Sequence, residues 1–277
     1  MIGESLVTDD KTISKSWRLG PLRLRGGFRE LVIIALIYGA YRLASGSIPN
    51  REDIAIQNAY RIVDAERFLR IFVENNFQSL FLGNAFLVGL VNLLYTICYY
   101  PALFLFGAWA FMRHRKQYYT VRNIFVVSAI IAFVCFALFP AAPPRMLSDL
   151  GFVDTMAQNG VKDLDYSSSV ARALSNPYAS MPSLHFGWTL LIGTATVYIA
   201  RPRWLKVVGA LVPFCMLVAI VATGNHFILD AIAGAVVIGL AYGLVRLYPR
   251  LKEGFKNNGL KRRLMGEKGD DSISSLL

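Results

Sequence analysis

Charge is scarce in this chain. Only 17% of its 277 residues are Asp, Glu, Lys or Arg, against 55% hydrophobic, and the mean hydropathy of +0.45 is beyond what a soluble domain of this length carries. Histidine and cysteine are scarcer still, at three residues each. Cys98, Cys135 and Cys215 all fall in apolar stretches, where a thiol packs as a small hydrophobe, so the pattern implies neither a disulfide nor a zinc site. No small-residue cleavage site follows Tyr41, so the first apolar stretch is expected to remain as an uncleaved anchor. No internal repeat is visible.

What the chain has instead is a series of long apolar blocks, at 28–45, 81–112, 118–139, 184–200, 204–223 and 227–248. Each approaches the roughly 20 residues that a helix needs to cross the hydrocarbon core. The expected fold is all-α, a polytopic transmembrane bundle of about six spans over residues 28–248. A basic segment, 1–27, precedes it, and a basic tail, 249–277, expected to be disordered, follows. The second block exceeds one span and contains Pro101, so it is either one kinked, tilted helix or a span with a re-entrant piece. Within 53–73, Ile62, Val63, Leu69 and Phe72 recur at roughly helical spacing, which predicts an amphipathic helix on the outer membrane surface.

The basic residues set the topology. Arg113, Arg115 and Lys116 lie between the second and third blocks, with Arg122 just inside the third, and Arg201 and Arg203 between the fourth and fifth, with Lys206 just inside the fifth, and no acids are among them. The tail adds seven more, from Arg250 to Lys268. The alternate loops, 46–79 and 140–183, mix Arg with Asp and Glu. The positive-inside rule then places both termini in the cytoplasm and the alternate loops outside. The net charge of +11 is thus a topology signal and a coat for anionic lipid, and no basic patch interleaved with aromatics points to nucleic acid.

Polar residues inside apolar blocks carry the chemistry, because an ionisable group at the bilayer centre costs about 2.5–3.5 kcal/mol and persists for a partner or a task. Asp230 lies four residues after His226, which puts both on one helix face; its carboxylate can fix the imidazole tautomer and raise the basicity of the other nitrogen. His185 stands in Met181-Pro-Ser-Leu-His, where Pro182 suits the first turn of the fourth span. Both histidines therefore start parallel helices at the same outer face. Helix N-termini favour anions. Ser183, Thr223 and Asn225 add donors or caps there, and Pro140-Ala-Ala-Pro-Pro-Arg145 delivers a guanidinium to the same face.

This set matches phosphoryl transfer through a covalent phosphohistidine. His226 attacks with Asp230 orienting it, His185 protonates the departing group, Arg145 offsets charge on the phosphate oxygens, and Ser183 and Asn225 bind phosphate. No cofactor or metal is required. The expected partners are a lipid phosphate or phospholipid substrate and the surrounding lipids, with no protein partner implied.

At these residues the chain resembles the type 2 phosphatidic acid phosphatase superfamily, and in particular its inositol phosphorylceramide synthase-like branch. Met181-Pro-Ser-Leu-His185 and Asn225-His-Phe-Ile-Leu-Asp230 carry the likeness, which covers the second to sixth blocks. It implies a six-helix bundle with the His and Asp roles given above. The superfamily's first-motif Lys would fall at Leu138, and its Ser-Arg at Ala219 and Ile220, so only Pro143-Pro-Arg145 stands for the first motif. Fewer phosphate-binding cations fit the synthase-like branch, and Lys162 or Arg172 in the outer loop are candidates to replace one.

Plainer explanations exist for each residue alone. An isolated His–Asp pair is as well explained as a tie between helices, and an isolated Arg145 as a snorkelling anchor. Asp149 and Asp154 read as solvated loop acids, His114 as a neighbour of cytoplasmic cations, and Tyr95, Tyr99, Tyr100, Tyr118 and Tyr119 as an interface belt. A lipid-phosphate carrier or scaffold on the same fold is the rival function, but a carrier needs polar groups along a path, not one cluster at one depth. A metal centre of His185, His226 and Asp230 is a further alternative without a dedicated motif.

Overall fold

Apolar segments that leave water must satisfy their own backbone hydrogen bonds, and that leaves this chain little but helix. The computed structural model describes residues 52–158 and 177–248, together with positions 29, 30, 32, 35 and 39. Among the described residues there is no strand, only one parallel bridge between Ala141 and Ala179. The five early positions are helical and belong to a first unit, residues 1–40, separate from the unit of residues 41–277. The rest of the expected first span, the segment 1–27, the tail 249–277, and 159–176 with Lys162 and Arg172 lie outside the described residues.

The longest apolar block shows how local sequence sets the elements. Helix α1 (Glu52–Phe68) starts with Glu52 and Asp53 and ends with Arg67, each charge complementing the helix dipole. Helix α2 (Glu74–Leu82) takes Phe81 and Leu82, which had been expected to open the second span. Asn84 then caps α3 (Ala85–Ile97) by accepting from the Phe86 and Leu87 N–H groups. Pro101 falls in the first turn of α4 (Tyr100–Arg113), where its missing N–H costs nothing. The block is one 29-residue apolar run broken at Cys98-Tyr99. Drawn straight it would reach about 43 Å, well over the roughly 30 Å of hydrocarbon.

The remaining long helices are α5 (Arg115–Leu138), α6 (Leu184–Ile199), α7 (Arg203–Ala222) and α8 (Ile228–Tyr248), with only short helical turns between α5 and α6 among the described residues. Among the described residues, α3 with α4, α5, α7 and α8 are long and apolar enough to cross a bilayer. The count of six is not confirmed: most of the expected first span lies outside the described residues, and α6 has 16 residues and reaches only about 24 Å. The reason is its position. Half of α6 is buried, and it packs against α4, α5 and α7, so protein neighbours set its length more than lipid does. Phe104, Leu105, Leu138, Phe214 and Leu240 face outward on its neighbours, an apolar exterior that only a membrane solvates. The protein is integral to the membrane.

Three packed clusters hold the bundle. In the central one Trp188 of α6 stacks on Phe125 at 3.9 Å and donates its indole N–H to Ser128 Oγ at 3.1 Å. A second joins Ala55, Ala59, Ile62 and Val63 of α1 to Leu147, Phe152 and Phe227, so the apolar face of the expected amphipathic helix turns onto the protein. Phe68 and Leu69 remain exposed where Arg70, at φ 59°, ends the helix. At the opposite end of the bundle a cavity of about 900 Å³ lies between α4, α6 and α7, with Trp109, Ile192 and Val212 in its wall and Arg113 and Arg201 at its edge.

Candidate active site

Two helix starts meet at the site. Ser183 is the N-cap of α6; its Oγ accepts from Phe186 N, and its own N–H donates to the Asp230 carbonyl at 2.8 Å. That bond locks the first turn of α6 to the first turn of α8. It requires a residue without a side chain opposite, because a Cβ on Gly234 would lie 2.3 Å from the Ser183 carbonyl oxygen. The turn between α7 and α8 is tied back to α7, with Asn225 N and His226 N both donating to the Ile220 carbonyl. Gly224, at φ +67°, makes that turn possible.

His185, His226 and Asp230 form one connected chain. His226 Nδ1 is 3.3 Å from Asp230 Oδ2, and His226 Nε2 is 3.4 Å from His185 Nδ1. His185 Nε2 is in turn 2.9 Å from Tyr95 Oη. Asp230 Oδ2 also accepts from Ser180 Oγ at 2.5 Å and from Phe227 N at 3.0 Å. One set of protons satisfies every link: Tyr95 donates to His185, His185 Nδ1–H to His226 Nε2, and His226 Nδ1–H to Asp230. Asp230 and Ser180 are buried, His226 nearly so, and His185 half-buried.

Arg145 is placed beside this chain by backbone. Its N–H donates to the Gly224 carbonyl at 2.9 Å, two residues before His226. Its guanidinium donates to Asn225 Oδ1 and lies 3.5 Å from Asp154 Oδ2. Asn225 donates to Thr223 Oγ1 at 2.6 Å, which orients its carbonyl oxygen toward the arginine. The structure therefore brings Arg145, Asn225, His185, His226 and Asp230 together. Within that group Asn225 holds the arginine, and Ser183 caps α6. Asp154, read from sequence as a solvated acid, is the arginine's counter-ion.

Sequence reasoning missed several buried polar residues. Ser180 is delivered by the Ala141–Ala179 bridge, and its position follows from no local pattern. Tyr95 and Tyr99 were read as an interface belt, yet both rings pack on His185, with centroids 4.9 and 4.2 Å away. Gln78 donates to the carbonyls of Val153 and Ala222 and accepts from Val153 N, clamping the Asp154 loop onto the end of α7. Glu66 and Glu74 are fully buried and accept from Leu229 N and Ile228 N, at 2.8 and 2.9 Å. The overlooked signal was Glu74 and Gln78, four apart in a helix that leads straight into an apolar run. The metal alternative gains no support, since no group of three His, Cys, Asp or Glu among the described residues has ligand geometry.

The sequence profile described as the PAP2 superfamily matches residues 60–244. The chain is also similar to a phosphoinositol dihydroceramide synthase of Bacteroides thetaiotaomicron, 24% identical over 185 residues that cover 59% of this chain. The match spans 57% of that relative's length. No solved structure matches the chain.

Proposed function

Since the chain belongs to the PAP2 superfamily, we propose that it is a membrane phosphotransferase that moves a phosphoryl headgroup from a lipid phosphodiester to an acceptor hydroxyl through a phosphohistidine. The observation that carries the reading is the orientation of His226: Nδ1 is held by Asp230, which leaves Nε2 as the nucleophile, facing the Nδ1 of His185. The relative's name adds the class of headgroup, an inositol phosphate, and an acceptor of ceramide type.

Each half-reaction uses the same groups. His226 Nε2 attacks phosphorus, the N–P bond forms, and the P–O bond to the lipid alcohol breaks. His185, carrying a proton on both ring nitrogens in this state, gives the one on Nδ1 to that leaving oxygen and is left neutral. In the second half His185 takes the proton from the acceptor hydroxyl, whose oxygen attacks phosphorus as the N–P bond breaks. Asp230 stabilises the imidazolium that forms on His226, and Arg145, steadied by Asn225 and Asp154, faces the charge on the phosphate oxygens. With both termini cytoplasmic, the site opens to the outer leaflet. Water in place of the hydroxyl turns the same cycle into a phosphatase.

The test compares wild type with His226→Ala in detergent, following phosphate release from phosphatidic acid and headgroup exchange between phosphatidylinositol and dihydroceramide. Activity that disappears in a variant that still folds supports the nucleophile. The ratio of free phosphate to new lipid separates transferase from phosphatase. Equal activity in both proteins removes His226 from the role.

A further inference from the structure

Glu66 closes α1 and Glu74 opens α2, and neither side chain reaches water. A helix's first N–H groups lack partners within the helix. Here three carboxyl groups take three successive ones at the start of α8: Asp230 accepts from Phe227 N, Glu74 Oε1 from Ile228 N, and Glu66 Oε1 from Leu229 N. Glu74 Oε2 accepts from Val73 N as well. Glu66 Oε2 is buried with no N–H or hydroxyl donor in reach, which suits an oxygen that carries the proton and donates it to Glu74. The charged groups facing Glu66 are Glu74 on α2 and Asp230 on α8. Three carboxylates crowded at one helix end cannot all be ionised away from water.

We propose that Glu66 and Glu74, sharing one proton, are positioning residues that hold the first turn of α8, and with it His226 and Asp230, against His185. The proposal rests on the reading of His226 as nucleophile. An ordinary cap is one Ser, Thr, Asn or Asp at the head of the helix's own chain. Two acids from separate helices do more: they tie α1 and α2 to the two peptides between His226 and Asp230, and the shared proton keeps a further full charge away from Asp230. Burial, and after it the hydrogen bond to Glu74, push the Glu66 carboxyl up to about 9. A carboxyl raised in the fold contributes its stability in full below its ordinary range and loses it as pH rises. The loss is complete above about pH 9, when Glu66 ionises against Glu74. The structure thus predicts an alkaline limit on the alignment of His226.

Glu66→Gln and Glu66→Ala test this together. Glutamine keeps the acceptor for Leu229 N and supplies an N–H toward Glu74 at every pH, while alanine removes both. With only three histidines in the chain, histidine-selective 15N spectra of the protein in nanodiscs resolve His226, assigned by its loss in His226→Ala. Wild type is expected to hold its His226 signal and its turnover of phosphatidylinositol with dihydroceramide up to about pH 9 and to lose both above it. Glu66→Gln is expected to match wild type at neutral pH and to stay flat through the alkaline range. Glu66→Ala is expected to shift the His226 signal at pH 7 and to lower the turnover number on the order of a hundredfold. A Glu66→Gln protein that keeps the wild-type alkaline loss overturns the shared proton. An unmoved His226 signal in Glu66→Ala overturns the positioning role. Should no protein turn over any lipid, the catalytic reading falls, while the His226 spectra still decide the positioning. Should Glu66→Ala not fold, the Glu66→Gln pH profile decides alone.

Discussion

Where α6 and α8 begin, buried polar atoms find partners from distant segments: Ser180 reaches Asp230, Tyr95 reaches His185, and Glu66 reaches Leu229. Where α4 gives way to α5 and α6 to α7, the bundle encloses about 900 Å³ of mostly apolar space, and apart from the close approach of Gly193 to Gly209 its wall is set by apolar contact. The first end has little freedom, because each unpaired polar atom away from water costs about 1–3 kcal/mol. Away from that glycine contact the second is held by dispersion and apolar burial, which many side chains satisfy. Function is expected to be brittle at one end and tolerant at the other.

Substitutions test that contrast, the strongest first. Asp230→Asn keeps the shape but no longer fixes the His226 tautomer; turnover in the headgroup-exchange assay is expected to fall by about 10³ to 10⁴-fold with little loss of fold. Gly234→Val drives a side chain into the Ser183 carbonyl and parts α6 from α8. It is expected to cost about 1–3 kcal/mol, read as a lower melting temperature in detergent, together with activity. Tyr95→Phe removes the hydroxyl from His185 Nε2, and turnover should drop roughly tenfold while the melting temperature holds. Asp154→Asn loosens Arg145, but this half-exposed partner is worth about 1 kcal/mol or less, so the half-saturating lipid concentration should rise only a few-fold. Val208→Leu in the cavity wall is expected to stay within about 0.5 kcal/mol of wild type and to leave turnover unchanged. A large effect there, or none at Gly234, would erase the contrast.

The readable part of the site was local. Asp230 follows His226 by one helical turn, and Ser183 marks the start of α6, so adjacency along the chain was enough there, although Pro182 precedes the cap and is not in the first turn as expected. Asn84 and Pro101 likewise carry the break points of the second block. Tyr95 and Tyr99 were misread because an aromatic near a span end looks the same whether it faces headgroups or a neighbouring helix. Glu66 was invisible for the opposite reason: it lies among ordinary surface charges in α1, and only its pairing with α8, 163 residues away, makes burial affordable.

The sequence by itself determined that the chain lives in a membrane, that it is helical, and that a histidine–aspartate pair starts one helix and a second histidine another. Those properties depend on hydropathy and on spacings of three or four residues, which the chain fixes before it folds. Tertiary structure alone decided that α6 is short and central, that Ser180 and Tyr95 complete the histidine chain, and that Glu66 and Glu74 close the start of α8. The last two depend on satisfying a buried polar group across a gap of tens to hundreds of residues, the first on the helices packed around α6, and no local pattern encodes which partner will arrive.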